Sequence, residues 1–154
     1  MGIEYSIRAA RDDDASAISQ VILSALRETN AKDYTPEIIA RLEEKFCPKS
    51  IKDRMGGRKV FVALVGGRIV GTASLEDEMV RSVFVDPRAQ GRGIGKQLMA
   101  EVERAAREAG ITALTVPSSV SAEQFYAKLG FSTVRDSYYG DERTIIMERR
   151  LPPA

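Results

Sequence analysis

From Val83 to Ala109 the chain reads as an apolar strand, a proline-terminated turn, a glycine-rich loop and an amphipathic helix. The run is Val83-Phe84-Val85-Asp86-Pro87-Arg88-Ala89-Gln90-Gly91-Arg92-Gly93-Ile94-Gly95-Lys96, followed by apolar residues at Leu98, Met99, Val102 and Ala106. That spacing predicts a helix ending at Ala109, with Gly110 as a left-handed cap. A helix that joins the strand Met79–Val85 to the next one, Ile111–Val116, makes those strands parallel, so the chain is constrained to an α/β sheet. The junction also has a chemical meaning. N–H groups at a helix start lack partners and carry partial positive charge, and glycines let an anion reach them. The loop is therefore built to hold a phosphate.

Two familiar phosphate loops do not fit. A P-loop needs glycine five residues before its Gly-Lys pair and a hydroxyl residue after it, but Gly95-Lys96 has Gln90 and Gln97 there. A dinucleotide fingerprint needs G-x-G-x-x-G and an acidic residue closing the next strand; here the glycines run G-x-G-x-G and the next strand meets Pro117. A nicotinamide cofactor is disfavoured.

Composition narrows the partners. The 154 residues make one ordinary domain, 1–154, and 44% hydrophobic content is enough for a core. With 23 basic and 22 acidic residues no bulk charge points to nucleic acid. No apolar run approaches a membrane span and Met1-Gly2-Ile3-Glu4-Tyr5 lacks a signal-peptide pattern, so a cytoplasmic location is expected. Cys47 stands alone and histidine is absent, which excludes an internal disulfide, Ser-His-Asp chemistry and His-ligated metal; no metal is expected.

Strand and helix periods alternate along the rest of the chain. Ile3–Arg8 reads as a strand, and Asp12-Asp13-Asp14 supplies caps for a helix with apolar Ala15, Ile18, Val21, Ile22, Ala25 and Leu26. Thr35-Pro36-Glu37 opens a second helix that buries Ile38, Ile39, Leu42 and Phe46, and Pro48 ends it before a short helix to Met55. Val60–Val65 and Arg68–Leu75 flank Gly66-Gly67, a hairpin signal. After Val116 come a helix from Ala122 to Leu129 and two strands, Phe131–Tyr139 and Thr144–Leu151, joined through Gly140-Asp141.

Gln90, Gly93 and Gly95 occupy the defining places of Q/R-x-x-G-x-G/A, and the chain thereby resembles the GCN5-related N-acetyltransferases. Their Asn-x-x-Ala-x-x-Phe-Tyr-x-x-x-Gly-Phe segment is matched from Ser119 to Phe131, with only the asparagine replaced. The resemblance implies a single-domain α/β fold with a mixed sheet of about seven strands, flanked by helices, whose parallel middle strands splay apart. It implies direct acetyl transfer from acetyl-CoA to an amine, on a small molecule, a protein N-terminus or a lysine; coenzyme A is the product. The alternative is a regulatory module that binds acyl-CoA without turnover. A homodimer is compatible with the resemblance.

Site residues follow from the resemblance and from chemistry. Backbone N–H groups from Gly91 through Lys96, including Arg92 and Ile94, receive the pyrophosphate, with Lys96, Arg92, Arg88 and Lys128 within reach of the ribose phosphate. By resemblance Val83, Phe84 and Val85 offer backbone to the pantetheine, and a free N–H near Val85 stabilises the oxyanion. Ser119 stands where the family has the pantetheine-binding asparagine. Ser121-x-x-Gln124 reads as a capping box that turns Phe125 and Leu129 inward and Tyr126 toward the cleft, where its phenol can serve the departing thiolate. The family's glutamate base falls at Met79, leaving Glu76, Asp77 and Glu78 as nearby carboxylates. Of these Glu76 and Glu78 are the candidate bases. Together with Glu28 and Asp33 they predict a small cationic acceptor. Cys47, with no histidine to activate it, reads as a small apolar residue at a helix end rather than a nucleophile.

Overall fold

The strands predicted from periodicity assemble into a seven-stranded mixed sheet with helices on both faces. The computed structural model describes residues 5–30, 34–140 and 142–152. Its strands are β1 (Ser6–Ala9), β2 (Lys59–Val65), β3 (Arg68–Glu76), β4 (Met79–Val85), β5 (Ala113–Ser118), β6 (Ser132–Tyr139) and β7 (Glu142–Arg150). The helices are α1 (Ala15–Ala25), α2 (Pro36–Lys45), α3 (Pro48–Met55), α4 (Ile94–Glu108) and α5 (Glu123–Lys128). Strand order is β1-β2-β3-β4-β5-β7-β6, and among the described residues β4 and β5 are the one neighbouring pair that runs parallel.

Local chemistry explains most boundaries. Gly66 and Gly67 sit at φ 57° and 80°, which a tight hairpin between right-twisted strands requires. The Thr35 hydroxyl accepts from the Ile38 N–H at 3.2 Å, with Pro36 behind it as the first residue of α2. The start of α1 differs from expectation. Asp12–Asp14 form a 3-10 turn, and Asp14 turns inward, where its carboxylate accepts from Arg8 Nη1 and Nη2 at 2.7 and 3.2 Å and from the Arg11 N–H at 2.8 Å. It ties the helix entry to β1. Beyond Ala25 the helix widens into a π turn, Leu26–Asn30.

Strand β5 runs through Pro117 instead of ending before it. Its pairing with β4 is confined to Met79 opposite Thr115, so past that point the β4-facing edge of β5 has no ladder for a missing N–H to break. The parallel strands thus diverge toward the C-terminal end of β4.

The sheet's two faces carry separate cores. On one, Leu98, Met99 and Val102 of α4 join Val70, Val80, Leu114 and Val116. On the other, Ile18 and Ile22 of α1 and Leu42 of α2 join Val62 and Ile69. Burying each such side chain stabilises the fold by about 1.5–3 kcal/mol, so the α4 stripe fixes the helix and the loop at its head. A Cβ at Gly71 of β3 would lie 3.0 Å from Leu98 Cδ1 and 3.3 Å from Ile94 Cγ2. That glycine lets the head of α4 sit directly on the sheet.

Candidate active site

Between the diverging strands lies a cleft of about 940 Å³. Along its β4 wall the ladder passes from Thr72 opposite Phe84 to Ser74 opposite Arg81, so β4 carries one extra residue there, with Ser82 at φ 53°. Such a bulge takes backbone groups out of the ladder and re-aims them. Val83 and Val85 pack against the α4 core and Phe84 against the other, its ring 5.7 Å from that of Phe46.

At the end of β4 the chain is fastened before the glycines begin. Asp86 is buried; its N–H donates to the Val70 carbonyl at 2.7 Å and its carboxylate accepts from the Arg88 N–H at 3.0 Å. Gln90 Nε2 donates to the Val85 carbonyl at 3.2 Å. Gly91 and Gly93 then take φ 80° and 78°, and Gly93 caps α4 without a side-chain bond. No atom lies within 4 Å of a Cβ built on either, so the loop needs glycine there for its backbone conformation, and the space above it is open. Gly95 is different. A Cβ there would stand 3.2 Å from the Phe125 ring, so this glycine is a packing requirement.

Tyr126 corrects the sequence reading. It is the buried residue of α5, whereas Phe125 and Leu129 are half-buried. Its ring meets Phe125 and Phe131 edge-on at 5.0 and 5.6 Å and also lines the cleft, as does Phe125. Burial pushes its phenol well above the ordinary tyrosine range, so it stays protonated and keeps an O–H to donate. The expected Ser121 capping box is absent. A 3-10 turn, Val120–Ala122, leads into α5, whose N-cap is Ala122 without a side-chain bond.

Val83, Phe84, Val85, Gln90, Gly91 and Gly93 line the cleft, as do Ile94, Gly95, Lys96 and Ser119. Ser119 Oγ lies 3.5 Å from Ser121 Oγ. Arg92, Arg88 and Lys128 are exposed and lie outside the lining. So do both candidate bases. Glu76 closes β3 between Arg58 Nε at 3.7 Å and Arg81 Nε at 3.4 Å, and Glu78 sits exposed in the hairpin, its carbonyl accepting from the Thr115 N–H at 3.0 Å. Cys47, at the N-cap of α3 with Sγ 3.3 Å from Ser50 Oγ, is also outside the lining.

The acidic acceptor surface expected from sequence is not in the cleft. Glu28 is exposed on the π turn outside the lining, and Asp33 lies outside the described residues. Among the described residues no aspartate or glutamate lines the cleft, but Arg41, Lys45, Arg54, Arg58 and Arg81 do. The sequence held a partial signal for them: Arg41 and Lys45, four apart, share a face of α2.

Residues 30–147 match the family model for the acetyltransferase (GNAT) domain. The chain is 26% identical over 132 residues to an uncharacterized N-acetyltransferase, YafP, of Escherichia coli K12, covering 84% of this chain and 82% of that protein. It is 36% identical over 84 residues to a glucosamine 6-phosphate N-acetyltransferase of Trypanosoma brucei brucei, covering 47% and 57% respectively. Its fold is shared with a GCN5-related N-acetyltransferase from Rhodopseudomonas palustris, at TM-score 0.90 and 24% identity over 98% of this chain and 99% of the other. It is shared too with the PaiA N-acetyltransferase from Thermoplasma acidophilum solved with coenzyme A, at TM-score 0.80 and 20% identity over 96% and 99%. The chain belongs to the GNAT family of acetyltransferases.

Proposed function

We propose that the protein transfers the acetyl group of acetyl-CoA directly to the nitrogen of an amine. The observation that carries this reading is the cleft itself, which joins a left-handed glycine loop at the head of α4 to the opening where β4 and β5 cease to pair. Acetyl-CoA supplies an activated thioester carbonyl. The N–H groups from Gly91 to Lys96 bind its pyrophosphate, and the unpaired edge of β4 at Val83–Val85 offers backbone to its pantetheine. The Tyr126 hydroxyl donates a hydrogen bond to the sulfur as the carbon–sulfur bond breaks. Since burial makes that phenol a weaker acid than usual, it stabilises the thiolate by donation, and the thiolate takes its proton from water.

The PaiA relative was solved with coenzyme A and the trypanosome relative is named for an amino-sugar phosphate, and both accord with this reading. A binding module without turnover is not favoured, because the relatives are named as N-acetyltransferases. The reaction belongs in the cytoplasm, and a homodimer is compatible with it. With no carboxylate lining the cleft among the described residues, the amine loses its proton to water. The rate therefore rises with pH until the free amine predominates. The test is thiol release from acetyl-CoA across a set of amines: release that depends on the amine and climbs with pH is expected, and release that no amine stimulates contradicts transfer.

A further inference from the structure

Opposite the glycine loop, the cleft is walled by the C-terminal part of α1, by α2 and α3, and by the first half of β4. The side chains there are unusual in charge. Arg58 and Arg81 face each other across Glu76, and neither Nε has a hydrogen-bond partner although both are buried. Glu76 answers them at ion-pair distance only, one carboxylate to two guanidiniums. Arg54 stands close enough to add a third positive charge, and burial together with repulsion from Arg54 and Arg81 pulls Arg58 below the usual guanidinium value, Glu76 opposing. Arg41 and Lys45 line the same part of the cleft from α2.

We propose that the acceptor amine carries an anionic group, a carboxylate or a phosphate, which Arg58 and Arg81 bind. This rests on the acetyl-transfer reading and names the substrate class for that site. A guanidinium matches either anion, and a half-buried pair of like charges that shares the single carboxylate of Glu76 gains from a second anion. Coenzyme A is not that ligand. From Arg81 to Val85 the strand advances about 10 Å, the three steps from Ser74 to Gly71 on β3, and the glycine loop begins only beyond Val85. An ammonium substrate without the acid would instead meet Arg41, Lys45, Arg54, Arg58 and Arg81 with no carboxylate among the described lining residues. The same geometry removes the cationic preference that the sequence suggested.

The test compares four short amines that differ at the far end: 2-aminoethyl phosphate, β-alanine, ethanolamine and ethylenediamine. Thiol release from acetyl-CoA is measured with each, beside the melting temperature with and without acetyl-CoA. At least one of the two acids is expected to exceed ethanolamine and ethylenediamine in kcat/KM by about tenfold or more, and the better acid identifies the anion. Arg58→Gln and Arg81→Gln should raise the KM of that acid about ten- to a hundredfold, the size of a lost charged hydrogen bond, and leave the KM of acetyl-CoA within about twofold. Arg81→Lys should recover part of the loss. The wild-type panel decides even if a variant fails to fold. If acetyl-CoA raises the melting temperature but neither acid is preferred, this inference falls while the acetyl-CoA site stands. If acetyl-CoA leaves the melting temperature unchanged, the reading beneath it falls.

Discussion

At the scale of single residues, Tyr126 combines two properties that the sequence kept apart. It is packed between Phe125 and Phe131 and it borders the cleft, so its ring is fixed at the edge of the cleft. Tyr126→Phe keeps that packing and removes the donor. Turnover should fall about a hundredfold or more, the usual contribution of a positioned acid or donor, with acetyl-CoA affinity nearly unchanged. Steady-state rates beside a binding isotherm check this, and a variant that turns over like wild type would make Tyr126 a packing residue only. The helical wheel could not find this burial, because α5 spans six residues and its inner side is decided by Phe131 returning beneath it. The motif that marked the residue was legible; the direction of its side chain was not.

At the scale of elements, what positions the site is a set of fastenings between neighbours. Asp14 joins the entry of α1 to β1 through Arg8, and that α1 face forms part of the core beneath the acceptor side. Its hydrogen bond from Arg8 holds the carboxyl below its ordinary value, against the opposing effect of burial. A depressed carboxylate contributes stability above its unfolded pKa and loses it as pH falls through the folded one. Asp14→Asn should therefore cost about 1–2 kcal/mol at neutral pH, and the gap to wild type should close as pH drops below about 4. Denaturant titration at both pH values measures it, and a gap that stays constant would contradict the linkage. The sequence reading took the three aspartates as equivalent caps because local pattern does not reveal which one faces Arg8. Gly71 was invisible for a similar reason: it reads as an ordinary strand residue until Leu98 and Ile94 are brought against it.

At the scale of the whole molecule, the sheet order and the crossover follow from the alternation of periods and the right-handed connection, which is why the α/β fold with its parallel pair was legible. The glycine loop at the head of α4 was legible too, since strand, glycines and helix are contiguous. The basic wall was not. It gathers residues from Arg41 to Arg81 on α2, α3, β4 and the turn before β2, and only the packed sheet brings them to one cleft. Of the carboxylates near Met79, Glu78 is exposed in the hairpin and Glu76 is engaged by Arg58 and Arg81, which adjacency in sequence does not reveal.

Whether the glycine loop holds the phosphates of acetyl-CoA in this cleft is decided by melting wild type and Gly93→Val with and without acetyl-CoA. At a hundredfold excess over the dissociation constant, wild type should gain about 2.7 kcal/mol of stability. Gly93→Val, strained at a left-handed position, should melt somewhat lower without ligand and gain little from it, because the N–H groups of the loop no longer converge. No shift for wild type in saturating acetyl-CoA, or an equal shift for the variant, would contradict the account.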